Sequence, residues 1–153
     1  MKRYDCMKIL ASKLSDDIIV AANVGNTSRQ LHGLRPSEAN LYQMNLGSCT
    51  AIGLGLALAL PHRKVLALDG DGNLLLHLAV LADLANQNPP NLGVIVFDNE
   101  SYESGGGLPT ATAGRADLTH IARACGIRNS RSVNEIGQFE EAINLILKGS
   151  ELA

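Results

Sequence analysis

Three short runs, Ile18–Ala22, Val65–Leu68 and Leu92–Phe97, are apolar at consecutive positions, and each is stopped by polar or glycine residues. A strand covered on one face alternates apolar with polar; a continuous run belongs to a strand covered on both. Helix-length segments separate the runs. Leu46–Leu60 is rich in Ala, Leu and Gly and closed by Pro61, and Leu74–Asn86 is ended by Pro89-Pro90. Strands alternating with helices predict a mostly parallel sheet with right-handed crossovers, a three-layer α/β/α fold. The same reading places helices over 5–14, 117–125 and 135–147, a short strand near Arg131–Val133, and a long polar loop from Asp98 to Arg115. Asn73 is read as the cap of the helix that follows it. With 153 residues, the chain is expected to be one domain, 1–153.

Composition removes several classes of function. Hydrophobic residues make up 46%, yet no apolar run approaches the ~20 residues that cross a bilayer, so no membrane partner is expected. The first residues lack the uninterrupted apolar core of a secretory signal. The three cysteines, Cys6, Cys49 and Cys125, have no CxxC spacing; reduced thiols and a cytoplasmic location are the economical expectation. A net charge of −2, with acids and bases interspersed and few aromatics, offers neither the basic stripe nor the stacking platform of a nucleic-acid surface.

In a parallel sheet, ligands bind beyond the carboxyl ends of the strands. The unusual residues of this chain sit there: Asn23–Thr27, Asp69–Asn73 and Asp98–Gly107. In Gly70-Asp71-Gly72-Asn73 the glycines let backbone N–H groups approach a bulky anion, and Asp71 supplies a hard oxygen suited to Mg²⁺. An ordinary strand-to-helix turn would carry the same residue types. Asn99 lies 28 positions after Asp71, one helix and one strand later, so the chain returns it to the same sheet edge. Its amide oxygen and the Ser101 carbonyl could join Asp71 in an oxygen shell for Mg²⁺, although Asp98-Asn99 also suits a plain loop start. Dinucleotide and P-loop fingerprints are absent: Leu75 stands where the third glycine would be, and no GxxxxGK[ST] occurs.

Gly70-Asp71-Gly72, about thirty residues of βαβ, and then Asp98-Asn99 resemble the signature of thiamine-diphosphate-dependent enzymes. The resemblance extends over about 17–127 and is carried also by Asn23–Arg29, Ile52–Ala59, Arg63–Val65, Asn86–Pro89, Tyr102 and Pro109–Thr112. It is nearest to the β subunit of sulfopyruvate decarboxylase and the C-terminal domain of phosphonopyruvate decarboxylase. It implies thiamine diphosphate and Mg²⁺ as cofactors, with Asp71, Asn99 and the Ser101 carbonyl on the metal. It implies Asn26, Thr27, Gly70, Gly72, Asn73 and Tyr102 around the diphosphate. Leu46 falls where the family wedges an apolar residue between the cofactor's rings, and the Met44 carbonyl where it accepts from the 4′-amino group. A plainer reading of Leu46 is that it opens a buried helix.

The resemblance implies a decarboxylase of small 2-oxo acids in which the cofactor accepts the electron pair left by CO₂. It also implies a hetero-oligomer, because the family's second domain grips the aminopyrimidine and gives a glutamate to N1′. That element has no counterpart motif here and is expected from a separate pyrimidine-binding α subunit. Two departures, Asn45 and Leu108, keep two alternatives open: a subunit of a split acetolactate-synthase-like carboligase, and a non-catalytic thiamine-diphosphate-binding module.

Overall fold

The computed structural model describes residues 1–149 and 152. Its main sheet has four parallel strands, β1 (Ile19–Asn23), β2 (Asn40–Met44), β3 (Val65–Gly70) and β4 (Leu92–Phe97), in the order β2-β1-β3-β4. Ile19 pairs with Val65 and Ala22 with Leu68, and Val65–Gly70 runs in unbroken register with Leu92–Phe97. Between β1 and β2 runs α2 (Asn26–Leu34); α3 (Cys49–Ala59) leads from β2 to β3.

Side chains alternate across each strand, so a two-sided sheet makes two cores. On one face Val20, Ala22, Leu66, Leu68 and Ile95 pack with Cys6, Met7 and Leu10 of α1 (Arg3–Lys13) and with Phe139 and Ile143 of α7 (Ile136–Lys148). On the other, Ile19, Val65 and Leu92 meet Leu54 and Ala57 of α3, Val80, Leu81 and Leu84 of α5 (Val80–Gln87), and Ala122 of α6 (Leu118–Cys125). This is the three-layer α/β/α arrangement expected from the apolar runs. Gly53 of α3 rides so close to β3 that a Cβ there would stand 2.9 Å from Ala67 Cβ, which accounts for glycine inside an otherwise good helix.

The chain departs from β1 towards one edge and from β3 towards the other. The crevice between their carboxyl ends is therefore the switch point at which open α/β sheets bind ligands.

Several local expectations are corrected. The helix foreseen over 74–86 is two helices, α4 (Asp71–Leu75) and α5, joined by a run of i→i−3 bonds such as His77 N–H to the Leu74 carbonyl and Val80 N–H to the His77 carbonyl. Asn73 lies inside α4 and is not its cap. α5 stops one residue before Asn88, which adopts φ +41°, so the left-handed turn ends it ahead of the prolines. Leu46 does not open α3; it sits in the turn before it and is exposed. No strand forms over 131–133, which leaves β4 at the sheet edge. Within the supposed structureless loop, β5 (Ser101–Tyr102) and β6 (Leu108–Pro109) pair as a small antiparallel hairpin. No helix among the described residues is long and apolar enough to cross a membrane.

Candidate functional site

The switch-point crevice is a cavity of about 350 Å³. Its walls come from the β1–α2 turn, the Gly70–Asn73 turn, Leu46, and the segment from Asn99 to Ser104. A larger space of about 770 Å³ follows the unpaired edge of β4 between α6 and α7. That space touches Asn99 but lacks the Gly70–Asn73 turn and is walled mainly by core side chains, so the candidate site is the smaller one.

Asp71 is almost fully buried, 2% exposed. Thr110 Oγ1 donates to its Oδ2 at 2.6 Å and Thr112 Oγ1 at 3.2 Å. The same Thr112 hydroxyl lies 2.8 Å from Asp98 Oδ1, which competes for its single proton. These bonds fix one carboxylate oxygen and leave Oδ1 towards Asn99. With its nitrogen turned inward, the Asn99 amide donates to Asp71 Oδ1 at 3.1 Å and to the Ser101 carbonyl at 2.9 Å. With its oxygen turned inward, three oxygens converge with no donor between them. Hydrogen bonding alone favours the first orientation and a hard cation the second, since Mg²⁺ takes carboxylate, amide and carbonyl oxygens. Glu100, between Asn99 and Ser101, has φ +58°. That backbone setting brings the Ser101 carbonyl back to the Asn99 amide, which also meets Asp71. Carboxylate, amide and carbonyl oxygens make this a hard-oxygen donor set.

The turn itself is tightly built. A Cβ on Gly72 would lie 2.5 Å from the Tyr102 ring, so the ring covers the glycine backbone directly. Behind it lies a second buried acid, Asp69, 1% exposed. Thr50 Oγ1 donates to Asp69 Oδ2 at 2.5 Å, the Gly70 N–H to Oδ1 at 2.9 Å, and Asn73 Nδ2 also to Oδ1. Burial raises the Asp69 carboxyl above its usual range, while these donors act in the opposite direction. Asn73 Oδ1 accepts from the Gly47 N–H at 2.8 Å, and His77 Nδ1 lies 3.0 Å from the Gly47 carbonyl. Asn73 therefore spends its side chain tying the Met44–Ser48 turn to the Gly70–Asn73 turn, leaving its backbone as the group free to meet an anion. The Met44 carbonyl accepts from the Val24 N–H at 3.0 Å. A carbonyl has a second lone pair for another donor.

On the β1 side, Gly25 has φ +101°, which turns the chain into α2. Thr27 is buried, and Asn26 Nδ2 donates to Glu103 Oε1 at 2.9 Å. The Arg3 guanidinium, with help from Asn26, holds the Glu103 carboxyl below its ordinary range. Asn23 is 8% exposed, and its Oδ1 is buried without a partner in the cavity wall. An orphaned polar atom is the mark of a place where a ligand or water completes the bonding.

Every residue singled out from sequence thus comes to this one edge. Asp71, Asn99 and Ser101 meet directly; Asn26, Thr27, Gly70, Gly72, Asn73, Tyr102 and Leu46 surround the cavity, while Met44 lies behind it at the end of β2. Sequence reasoning assigned no role to Arg3, Asn23, Thr50, Asp69, Glu103, Thr110 or Thr112. The Pro109–Thr112 block was the one available signal, because it accompanied the resemblance.

Residues 23–153 match the family described as "Thiamine pyrophosphate enzyme, C-terminal TPP binding domain". The chain belongs to that family. Among its relatives is the "Sulfopyruvate decarboxylase subunit beta" of Methanocaldococcus jannaschii, 33% identical over 94% of this chain and 78% of that one. Another is the "Sulfopyruvate decarboxylase" of Methanosarcina acetivorans, 40% identical over 88% of this chain and 34% of that one. The chain thus spans about a third of the Methanosarcina relative and about four-fifths of the Methanocaldococcus subunit. The crystal structure of benzoylformate decarboxylase from Polynucleobacter necessarius superposes with a TM-score of 0.77 at 16% identity, covering 99% of this chain and 32% of that one. The fold is therefore that of a thiamine-diphosphate-binding domain.

Proposed function

We propose that this chain is the diphosphate- and magnesium-binding subunit of a split thiamine-diphosphate-dependent decarboxylase acting on a small 2-oxo acid of the sulfopyruvate or phosphonopyruvate type. The observation that carries the reading is the Asn99 amide lying 3.1 Å from Asp71 Oδ1 and 2.9 Å from the Ser101 carbonyl, beside the Gly70–Asn73 turn. Asp71, Asn99 and Ser101 would hold Mg²⁺, and the carboxylate, amide and carbonyl oxygens they offer fit a hard cation. Asn26, Thr27, Gly70, Gly72 and the Asn73 backbone would receive the diphosphate, with Tyr102 closing over Gly72 and Leu46 and the Met44 carbonyl facing the aminopyrimidine. When bound, the cofactor supplies an electron sink for the carbanion left by CO₂.

The chain's own contribution is binding and orientation. Thr110 and Thr112 fix the Asp71 carboxylate so that a single oxygen faces the cation, and Asn73 couples the turn that carries Leu46 to the turn that carries Asp71. A separate pyrimidine-binding subunit would supply the glutamate to N1′, in line with the relatives named as beta subunits. We place the assembled hetero-oligomer in the cytoplasm and treat 1–153 as one domain. Calorimetric titration of the chain with thiamine diphosphate, with Mg²⁺ and then with excess chelator, tests the reading. Binding should require the metal, and equal affinity in both conditions would end the assignment of Asp71, Asn99 and Ser101.

A further inference from the structure

The cavity contains an anion of the chain's own. Arg3, in the first turn of α1, donates from Nη1 to Glu103 Oε2 at 2.8 Å and from Nη2 to Oε1 at 3.4 Å. Asn26 Nδ2 reaches the same Oε1 at 2.9 Å. All three residues line the cavity together with the Gly70–Asn73 turn. A guanidinium fork and an amide N–H arranged around two oxygens recognise carboxylates and phosphates alike.

The donors and the acceptor are anchored differently. The Arg3 side chain is only 21% exposed, and its Nε is committed to Gln30 Oε1 at 3.3 Å, so its fork is held independently of Glu103. Glu103 is 46% exposed and follows the two-residue strand β5, just before Gly105–Gly107, in a hairpin paired at only two positions. The cationic side of the contact belongs to the packed body, and the anionic side to its least supported element.

We propose that Glu103 is a placeholder for a phosphate-class oxyanion, and that Arg3 is a diphosphate-binding residue. Arg3 and Asn26 grip the Glu103 carboxylate until the ligand arrives, then pass their N–H donors to the terminal phosphate as the Glu103 side chain turns out to solvent and the hairpin stays in place. The inference rests on the thiamine-diphosphate reading and adds to it a ligand outside the family-matched residues 23–153. It also explains how Asn26 can be a diphosphate ligand although its side chain is engaged: the engagement is with a competitor of the same charge and shape.

The test is calorimetry on the full chain with Mg²⁺, using inorganic pyrophosphate and thiamine diphosphate as separate ligands. The proteins are wild type, Glu103→Gln, Arg3→Gln and the double variant, each checked for an unchanged far-ultraviolet spectrum. Glu103→Gln should tighten pyrophosphate several-fold, because the competing charge is gone. Arg3→Gln should weaken both ligands at least about tenfold, the usual scale for a lost bond to a charged group, and the loss should persist in the double variant. An unchanged affinity in Arg3→Gln, or weaker binding in Glu103→Gln, would overturn the proposal, the latter marking the pair as a clamp that merely holds the hairpin. Wild type that binds pyrophosphate but not thiamine diphosphate would overturn the functional reading while the variants still decide the placeholder. Wild type that binds neither would end both.

Discussion

Asp71 is the residue on which the proposed site turns, and its surroundings say why substitution should separate binding from folding. Its carboxylate is buried, yet the threonines that hold it, Thr110 and Thr112, also bond each other at 2.8 Å. Removing the acid therefore leaves polar partners that remain satisfied, and Asp71→Ala should fold while losing at least about a hundredfold in affinity for thiamine diphosphate with Mg²⁺, read by calorimetry. Undiminished binding would refute the metal assignment. Glu100 gives a second residue-level expectation. Its φ of +58° costs a β-branched side chain far more than glycine. Glu100→Gly should keep or raise the melting temperature, whereas Glu100→Val should lower stability by about 1 kcal/mol and weaken the cofactor with it. At this scale the sequence was informative about groups whose type is demanded by chemistry, such as Asp71, Asn99 and the flanking glycines. It was silent about Asp69 and Thr50, because a buried acid and its hydroxyl donor carry no spacing rule, and about Arg3 and Glu103, which meet from 100 positions apart.

Among the elements, the buried strands were legible and the edges were not. β1, β3 and β4 are apolar at nearly every position, and a run of that kind has few alternatives. β2, Asn-Leu-Tyr-Gln-Met, is only half-buried at the sheet margin, so its pattern carries no continuous apolar signal, and neither it nor the preceding α2 was foreseen. The split of α4 from α5 escaped for another reason: neither glycine nor proline marks it, and His77, in the connecting turn, lies against the Gly47 carbonyl, a contact between distant segments. The hairpin of β5 and β6 is joined to the body through the Thr110–Asp71 bond and through Glu103, which Arg3 and Asn26 hold. Few bonds hold it, so its amides, including Gly107 N–H bonded to the Tyr102 carbonyl at 3.0 Å, should exchange quickly in the free chain and slow on addition of thiamine diphosphate and Mg²⁺. Strong protection in both states would contradict an element that closes on the ligand. α6 offers a pH-dependent case. Asp117 Oδ1 accepts from the His120 N–H at 2.9 Å, capping the helix, and this bond holds its carboxyl below the ordinary value. A depressed folded value means the cap stabilises above the unfolded carboxylate pKa and is lost as pH falls through the folded one. The melting difference between wild type and Asp117→Ala should accordingly be full at neutral pH and shrink in acid.

For the molecule as a whole, the question is whether one such chain can turn over substrate. The groups able to hold diphosphate and metal all lie at one sheet edge, in the turns after β1, β3 and β4. Beside the cavity, the apolar surface is open: Leu46 is 61% exposed, and Leu76 and Leu108 are also exposed. An open apolar wall next to polar groups suits the separate subunit proposed above. The acids available to protonate the aminopyrimidine do not compensate. Glu100 and Glu103 belong to the segment after β4, on the diphosphate side, and Glu38 precedes β2, at the opposite end of the sheet from the site. The isolated chain should therefore bind cofactor weakly and release no CO₂ from sulfopyruvate, phosphonopyruvate or pyruvate. A pyrimidine-binding subunit with a glutamate for N1′ should restore turnover, and cofactor should tighten the pair, because a ligand held by both partners stabilises the assembly over the separated chains. Sedimentation with and without cofactor, beside the CO₂ assay, reads both effects. Robust decarboxylation by this chain alone would mean that two copies complete each other's site, and the split-enzyme reading would have to be abandoned.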